Sequence, residues 1–158
     1  MRILFVCMGN ICRSPTAEGV MQALVAQAGL EHEIELDSAG TGAWHIGKPP
    51  DARATAAARG RGITLEGRAR QVARSDLDEF DLVIAMDRRN AAELLALVDG
   101  EPRGALHLLR QFDPEAVADD DLDVPDPYYG GEQGFEDVLD IVDRSCRGLL
   151  AHIRASDR

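Results

Sequence analysis

Four apolar residues, Ile3-Leu4-Phe5-Val6, run straight into Cys7, and Met8-Gly9-Asn10-Ile11-Cys12-Arg13-Ser14-Pro15 follows before a helical pattern begins. The unbroken apolar run fits a strand buried on both faces, as in a parallel sheet. Pro15 suits the first turn of a helix, where its missing N–H would have had no partner anyway. A thiol therefore stands at the tip of a strand, in a loop that closes on a helix N-terminus. Unpaired backbone N–H groups and the positive end of the helix dipole converge at such a place and make it an anion site. The same environment favours the thiolate, the reactive form of cysteine. Arg13 adds a planar fork of donors matched to phosphate oxygens. A thiolate in a phosphate cradle points to phosphoryl transfer through cysteine.

Cys7 and Arg13 are separated by five residues. A loop of that length encircles one tetrahedral anion, with successive backbone amides on its three peripheral oxygens. Gly9 and Asn10 tolerate the left-handed backbone that such a curl demands. The candidate binding set is Met8, Gly9, Asn10, Ile11, Cys12 and Ser14, with Ser14 placed to hydrogen-bond the sulfur and ease its departure from phosphorus. No GxxxxGK[ST] is present, so this is not a nucleotide P-loop. A bland alternative makes Cys7 a small buried hydrophobe. It leaves the ordered succession of strand, loop, Ser-Pro and helix without a reason.

The 158 residues suit one domain spanning 1–158. Net charge is −11, so no nucleic-acid partner is expected, and a site for an anionic substrate must be locally positive. Three cysteines do not make a fully paired disulfide framework, which favours a reducing, cytoplasmic setting. The apolar run after Met1-Arg2 is too short for a signal peptide or a membrane span, so no membrane partner is expected.

Helices and strands alternate along the chain. Ala17, Val20, Met21, Leu24, Val25 and Ala28 recur at helical spacing, and Gly29 closes that helix. Glu33 to Leu36 reads as a weaker strand. Asp51 to Arg59 reads as a helix with Asp51 as N-cap. Asp81 to Met86 is a central strand, and Asp87 caps a helix carrying Ala91, Leu94, Leu95 and Val98. Ala105 to Leu108 is a fourth strand. Phe112 to Tyr129, rich in proline and aspartate, reads as loop. The last helix begins near Gly134 and buries Phe135, Val138, Val142, Cys146, Leu149 and Ile153. This alternation implies an α/β sandwich with a parallel sheet. Ligands in such sheets sit beyond the carboxyl ends of the strands, where Cys7 lies.

Val6 to Pro15 matches V-C-x-G-N-I-C-R-S-P. With Ser38-Ala39-Gly40-Thr41, Arg70-Gln71, Val83 to Asp87 and Asp126-Pro127-Tyr128-Tyr129-Gly130, the chain resembles the low-molecular-weight protein tyrosine phosphatases over nearly its whole length. The resemblance implies a three-layer sandwich, a four-stranded parallel sheet flanked by helices, with the catalytic loop after the first strand. It implies a phosphotyrosine-bearing protein substrate, a tyrosine kinase among the candidates, and a monomer that needs no cofactor. It makes Cys7 the nucleophile and Arg13 the phosphate ligand.

A phenolate leaves readily only if it is protonated as its bond breaks, so an acid must face the nucleophile. Asp119, Asp120, Asp121, Asp123 and Asp126 are all available. Pro127 restricts Asp126 and so fixes the approach of that carboxylate. The resemblance assigns the general acid, and the later general base, to Asp126. It also makes Trp44 a wall of the substrate slot, with Tyr128 and Tyr129 as the opposing rim. The other reading of Trp44 is a core anchor beneath a loop. Ser38 and Asn10 brace the loop through their side chains, as in the family. Many family members carry a histidine just before R-A-x-Q, and this chain has Gly67 at about that place.

Cys12 reads equally as a packed thiol or as a redox partner that shields Cys7 by forming a disulfide. Cys146 reads as core. The four histidines show no ligand spacing, and no metal is expected, because Arg13 and the amides suffice to neutralise phosphoryl charge. The arginines between Arg53 and Arg74 read as a solvated face. Three rivals share these features. Arsenate reductases on this scaffold use a mid-chain cysteine pair, and none lies between Cys12 and Cys146. Protein arginine phosphatases place threonine where Ile11 stands. A silent phosphate-binding module would not need Cys7, Arg13 and Asp126 together.

Overall fold

The sheet is four-stranded and wholly parallel, in the order β2-β1-β3-β4, where β1 is Arg2–Cys7, β2 Glu35–Gly40, β3 Leu82–Ala85 and β4 Ala105–Leu108. The computed structural model describes residues 1–98 and 105–156. β1 is central because Ile3 to Val6 are apolar on both pleat faces and fully buried. Helices cover both sides. α1 (Arg13–Gln27) and α6 (Glu132–Ser156) pack together over Ile3, Phe5 and Ile84, through Val20, Met21, Val142 and Leu149. On the other face Leu4, Val6, Val83 and Ala85 meet Leu77, Phe80 and Leu94. Each fully buried Val, Leu, Ile, Phe or Met side chain among these contributes roughly 1.5–3 kcal/mol of transfer free energy. The expected three-layer sandwich is the observed one.

Local chemistry sets the element ends. Gly29 adopts φ +70°, and Leu30 N–H returns to the Val25 carbonyl at 3.0 Å, a Schellman ending for α1. Asp51 caps α2 (Ala52–Arg59) by accepting from Arg53 and Ala54 N–H. Asp87 caps α4 (Arg88–Leu95) by accepting from Asn90 N–H. A short α3 (Asp76–Glu79) precedes β3.

Several boundaries differ from the sequence reading. β2 begins two residues later and runs to Gly40. Glu33 and Ile34 N–H turn back to the Leu30 carbonyl, whereas Ser38, Ala39 and Gly40 pair with Phe5, Val6 and Cys7. α4 ends at Leu95, which is exposed, and Val98 packs on the core from beyond the helix. The acidic stretch is not all loop. It holds α5 (Pro114–Asp119), with Asp113 as N-cap and Pro114 in the first turn. Asp113 is fully buried and paired with Arg144 of α6. α6 starts at Glu132, and all six of its expected core residues are buried. Among the described residues, no helix is long and apolar enough to cross a membrane.

Candidate active site

Cys7 is the last residue of β1, flanked by β2 and β3, and its side chain is buried at the carboxyl edge of the sheet. Beyond it the chain curls through Asn10, at φ +57°, and enters α1 at Arg13. The Asn10 backbone N–H donates to Cys7 Sγ at 3.2 Å, and Ser14 Oγ lies 3.0 Å from the same sulfur. Ser14 Oγ accepts from Asn10 Nδ2 at 2.8 Å, which leaves its own hydrogen for the sulfur. Two donors thus converge on Cys7. Asn10 is the pivot of a buried clamp. Its Nδ2 also donates to Ser38 Oγ at 3.0 Å, and its Oδ1 accepts from Arg70 N–H at 3.0 Å. Asn10 and Ser38 are thus joined side chain to side chain behind the loop. Gly40 lets the loop pass, since a Cβ there would lie 2.8 Å from the Met8 carbonyl oxygen.

Arg13 is almost wholly buried at the head of α1. Its Nη1 donates to Asp87 Oδ2 at 2.6 Å and to the Val124 carbonyl at 3.0 Å. Asp87 therefore serves twice, because its other oxygen caps α4 by accepting from Asn90 N–H at 2.7 Å. With Nη1 engaged, the Nε–Nη2 edge remains as a parallel pair of donors. Burial works against the guanidinium charge, but Cys7, Asp87 and Asp126 outweigh it and hold the group above its ordinary pKa. Asp87→Asn keeps an oxygen for the cap and removes the charge behind Arg13. It should lower kcat/KM for an aryl phosphate about tenfold or more, the usual worth of a charged hydrogen bond. Steady-state kinetics together with inhibition by inorganic phosphate will check it, and both should weaken.

Asp126 Oδ2 lies 3.6 Å from Arg13 Nη2, and Oδ1 accepts from Tyr128 N–H at 3.0 Å. A cleft of about 480 Å³ brings Cys7, Met8, Gly9, Ile11, Cys12 and Arg13 to its floor and Trp44, Asp126, Tyr128 and Tyr129 to its walls. Asn10, Ser14 and Ser38 stand behind the floor. Trp44 is 69% exposed, which removes the core-anchor reading. Its ring packs against Gly42, where no Cβ would fit. Tyr128 and Tyr129 meet edge to face, with centroids 5.0 Å apart.

Residues not singled out from the sequence also shape the cleft. Arg53 of α2 donates to the Tyr128 carbonyl at 3.1 Å and sits 5.4 Å from that ring's centroid, while Asp51 holds it at 3.2 Å. It ties the Asp126–Tyr129 segment to α2. His45 packs on Gly9, and Arg89 also lines the cleft. Arg53, Arg59, Arg61, Arg68 and Arg74 are exposed, as a solvated face requires, and Arg70 is half-buried. Arg61 pairs with Glu136 and Asp140, and Arg70 with Asp37 and Asp76.

The Cys12 thiol is pushed up to about 12, chiefly by burial and then by Asp51 and Cys7. It and Cys146 are free and buried, and Cys146 donates to the Ala17 carbonyl across the α1–α6 contact. Gly67 adopts φ +88° beside a small polar hollow that includes Glu18, Asp37 and Ser38. Burial raises the Glu18 carboxyl above its ordinary range, against a hydrogen bond from Ser38 that lowers it. Among the described residues, no group of three or more His, Cys, Asp or Glu is arranged to hold a metal ion.

A cysteine-and-arginine anion loop at the carboxyl edge of a parallel sheet defines a class, the α/β proteins that bind a phosphate group against a thiol. The comparisons carry this further. The family model for low molecular weight phosphotyrosine protein phosphatases matches residues 2–158. A low molecular weight protein-tyrosine-phosphatase of Streptomyces coelicolor is 50% identical over 154 residues, covering 97% of this chain and 93% of that one. A solved protein tyrosine phosphatase of Entamoeba histolytica, with Hepes in its active site, superposes with a TM-score of 0.93 at 37% identity, over 100% of this chain and 99% of that one. A Drosophila arginine phosphatase superposes with a TM-score of 0.89 at 32% identity, over 97% and 98% of the two chains. The chain belongs to the low molecular weight phosphotyrosine protein phosphatase family.

Proposed function

We propose that the protein, as a single domain, hydrolyses phosphotyrosine monoesters through a phosphocysteine on Cys7. The observation that carries this reading is the convergence of Asn10 N–H and Ser14 Oγ on the Cys7 sulfur, in a cleft shared with Arg13 and Asp126. In the first step the sulfur attacks phosphorus and the bond to the phenol oxygen breaks. Asp126, protonated, gives its proton to that oxygen. The Nε–Nη2 edge of Arg13 and the loop amides hold the equatorial oxygens as charge shifts onto them. In the second step Asp126, now a carboxylate, takes a proton from water. The water oxygen bonds to phosphorus, and sulfur leaves with its electron pair, received by the Ser14 and Asn10 donors. Phosphate is released and the enzyme returns to its starting state.

Substrate class follows from the walls. The fold alone does not choose, since the Drosophila arginine phosphatase shares it. Trp44, Tyr128 and Tyr129 make an aromatic-lined slot, open to solvent at Trp44 and Tyr129, and Ile11 adds an apolar residue from the loop. A flat phenyl ring fits such a slot, whereas a short phosphoserine would leave its phosphate far from the sulfur. The partners are phosphoproteins. Matched peptides carrying phosphotyrosine, phosphoarginine or phosphoserine test the assignment. The phosphotyrosine peptide should give a kcat/KM at least about tenfold above both others, the scale on which a filled apolar pocket discriminates. An equal or faster reaction with phosphoarginine would reject it.

A further inference from the structure

Resting on that reading, we propose that Arg89 is a specificity-determining residue that selects substrates with an acidic side chain flanking the phosphotyrosine. Arg89 is the second residue of α4, two positions after Asp87, and it is among the residues that line the cleft, with Asp126, Tyr128 and Tyr129. Its side chain is 79% exposed, and its partner Glu93, 3.3 Å away, is an exposed neighbour one helical turn on. A pair of that kind holds the guanidinium weakly and lets it turn to another anion.

Of the other arginines near the cleft, Arg13 and Arg53 are committed and Arg88 stands outside it. Arg13 is buried against Asp87 and aimed at the phosphate position. Arg53 is held by Asp51 and by the Tyr128 carbonyl. Arg88, next to Arg89, is also loosely held, 3.9 Å from the exposed Asp120, but it is not among the residues that line the cleft. The chain carries a net charge of −11, and the acidic stretch around Asp120 and Asp123 lies against the start of α4. An acidic peptide is repelled by such a surface unless it meets a cation at the point of entry. Arg89 supplies that cation outside the slot, where the residue next to the phosphotyrosine must lie. The anion it meets is a carboxylate, because the deep floor, not the rim, is built for phosphate.

The test compares matched phosphotyrosine peptides that carry Glu, Gln or Lys on both sides of the phosphotyrosine. The readout is the ratio of kcat/KM values within each enzyme, so that any general loss in a variant cancels. Wild type should favour Glu over Gln about two- to fivefold, the range of an exposed ion pair. The ratio should fall to about one in Arg89→Ala and invert toward Lys in Arg89→Glu. In wild type it should also shrink at 0.5 M salt, as screening requires. A wild-type ratio of one or below, or a preference that survives in Arg89→Ala, overturns the proposal. Hydrolysis of para-nitrophenyl phosphate and of the Gln peptide by wild type is read alongside. If both proceed and the ratio is flat, only the role of Arg89 fails. If neither proceeds, the phosphatase reading fails with it.

Discussion

Cys7→Ser should lower turnover of any phosphate monoester by on the order of a thousandfold or more, while the protein still binds inorganic phosphate. The serine hydroxyl is a far weaker nucleophile than a thiolate, and the Ser14 and Asn10 donors that receive the sulfur cannot make up that difference. The groups that hold the phosphate are otherwise intact. Arg13 remains fixed by Asp87 and Val124, and the loop amides are set by Asn10 at φ +57°. Calorimetry with inorganic phosphate on the variant, next to steady-state rates, separates the two effects. Rapid acid quench of wild type should trap phosphate on Cys7. Activity near that of wild type in Cys7→Ser would exclude the covalent route.

The part of this site that was legible in the sequence is the part whose causes are local. An apolar run, a thiol, five residues and an arginine before Ser-Pro fix a strand, a loop and a helix start within fifteen positions. The caps at Asp51 and Asp87 were equally legible, because a cap acts on N–H groups two or three residues away. α5 carried the same kind of signal. Asp113-Pro114 is a cap followed by a first-turn proline, but the polarity of the aspartates after it masked the short helix. β2 reads too early in the sequence because its polar residues are not periodic. Ser38 faces Asn10 and pairs with Phe5, so a functional contact replaced the apolar residue that would have marked the strand.

What the sequence did not show lies in contacts between distant segments. Asp87 read as a cap and nothing more. Its second oxygen meets Arg13, 74 positions away, and no spacing rule reports such a pair. The Val124 carbonyl is invisible for a plainer reason, since every residue has one. Arg53 and Arg70 read as surface charge, yet one fastens Tyr128 and the other donates its backbone N–H to the Asn10 clamp. In each case the missing information was which loop ends the parallel sheet brings to its carboxyl edge. The topology supplies that, not the local pattern.

Asp126→Asn should lower the rate of phosphoenzyme formation about a hundredfold or more with poor leaving groups, in line with the typical worth of a general acid. The size of the loss should depend on the phenol. A more acidic phenol needs less help from a proton, so the loss should shrink steadily as leaving-group pKa falls. Breakdown of the phosphoenzyme should also slow, and by the same factor for every substrate, because by then the phenol has gone and only water and Asp126 remain. Single-turnover and steady-state rates over a series of aryl phosphates resolve the two steps. The variant keeps the shape of the side chain, and its amide oxygen can still accept from Tyr128 N–H, so the wall should hold its place. Equal losses in phosphoenzyme formation across the series would reject Asp126 as the acid. The next carboxylate along the chain, Asp123, is then the one to test, but it is a poorer candidate on the geometry. One of its oxygens accepts from Arg88 N–H at 2.9 Å at the start of α4, and its side chain is not among those that line the cleft.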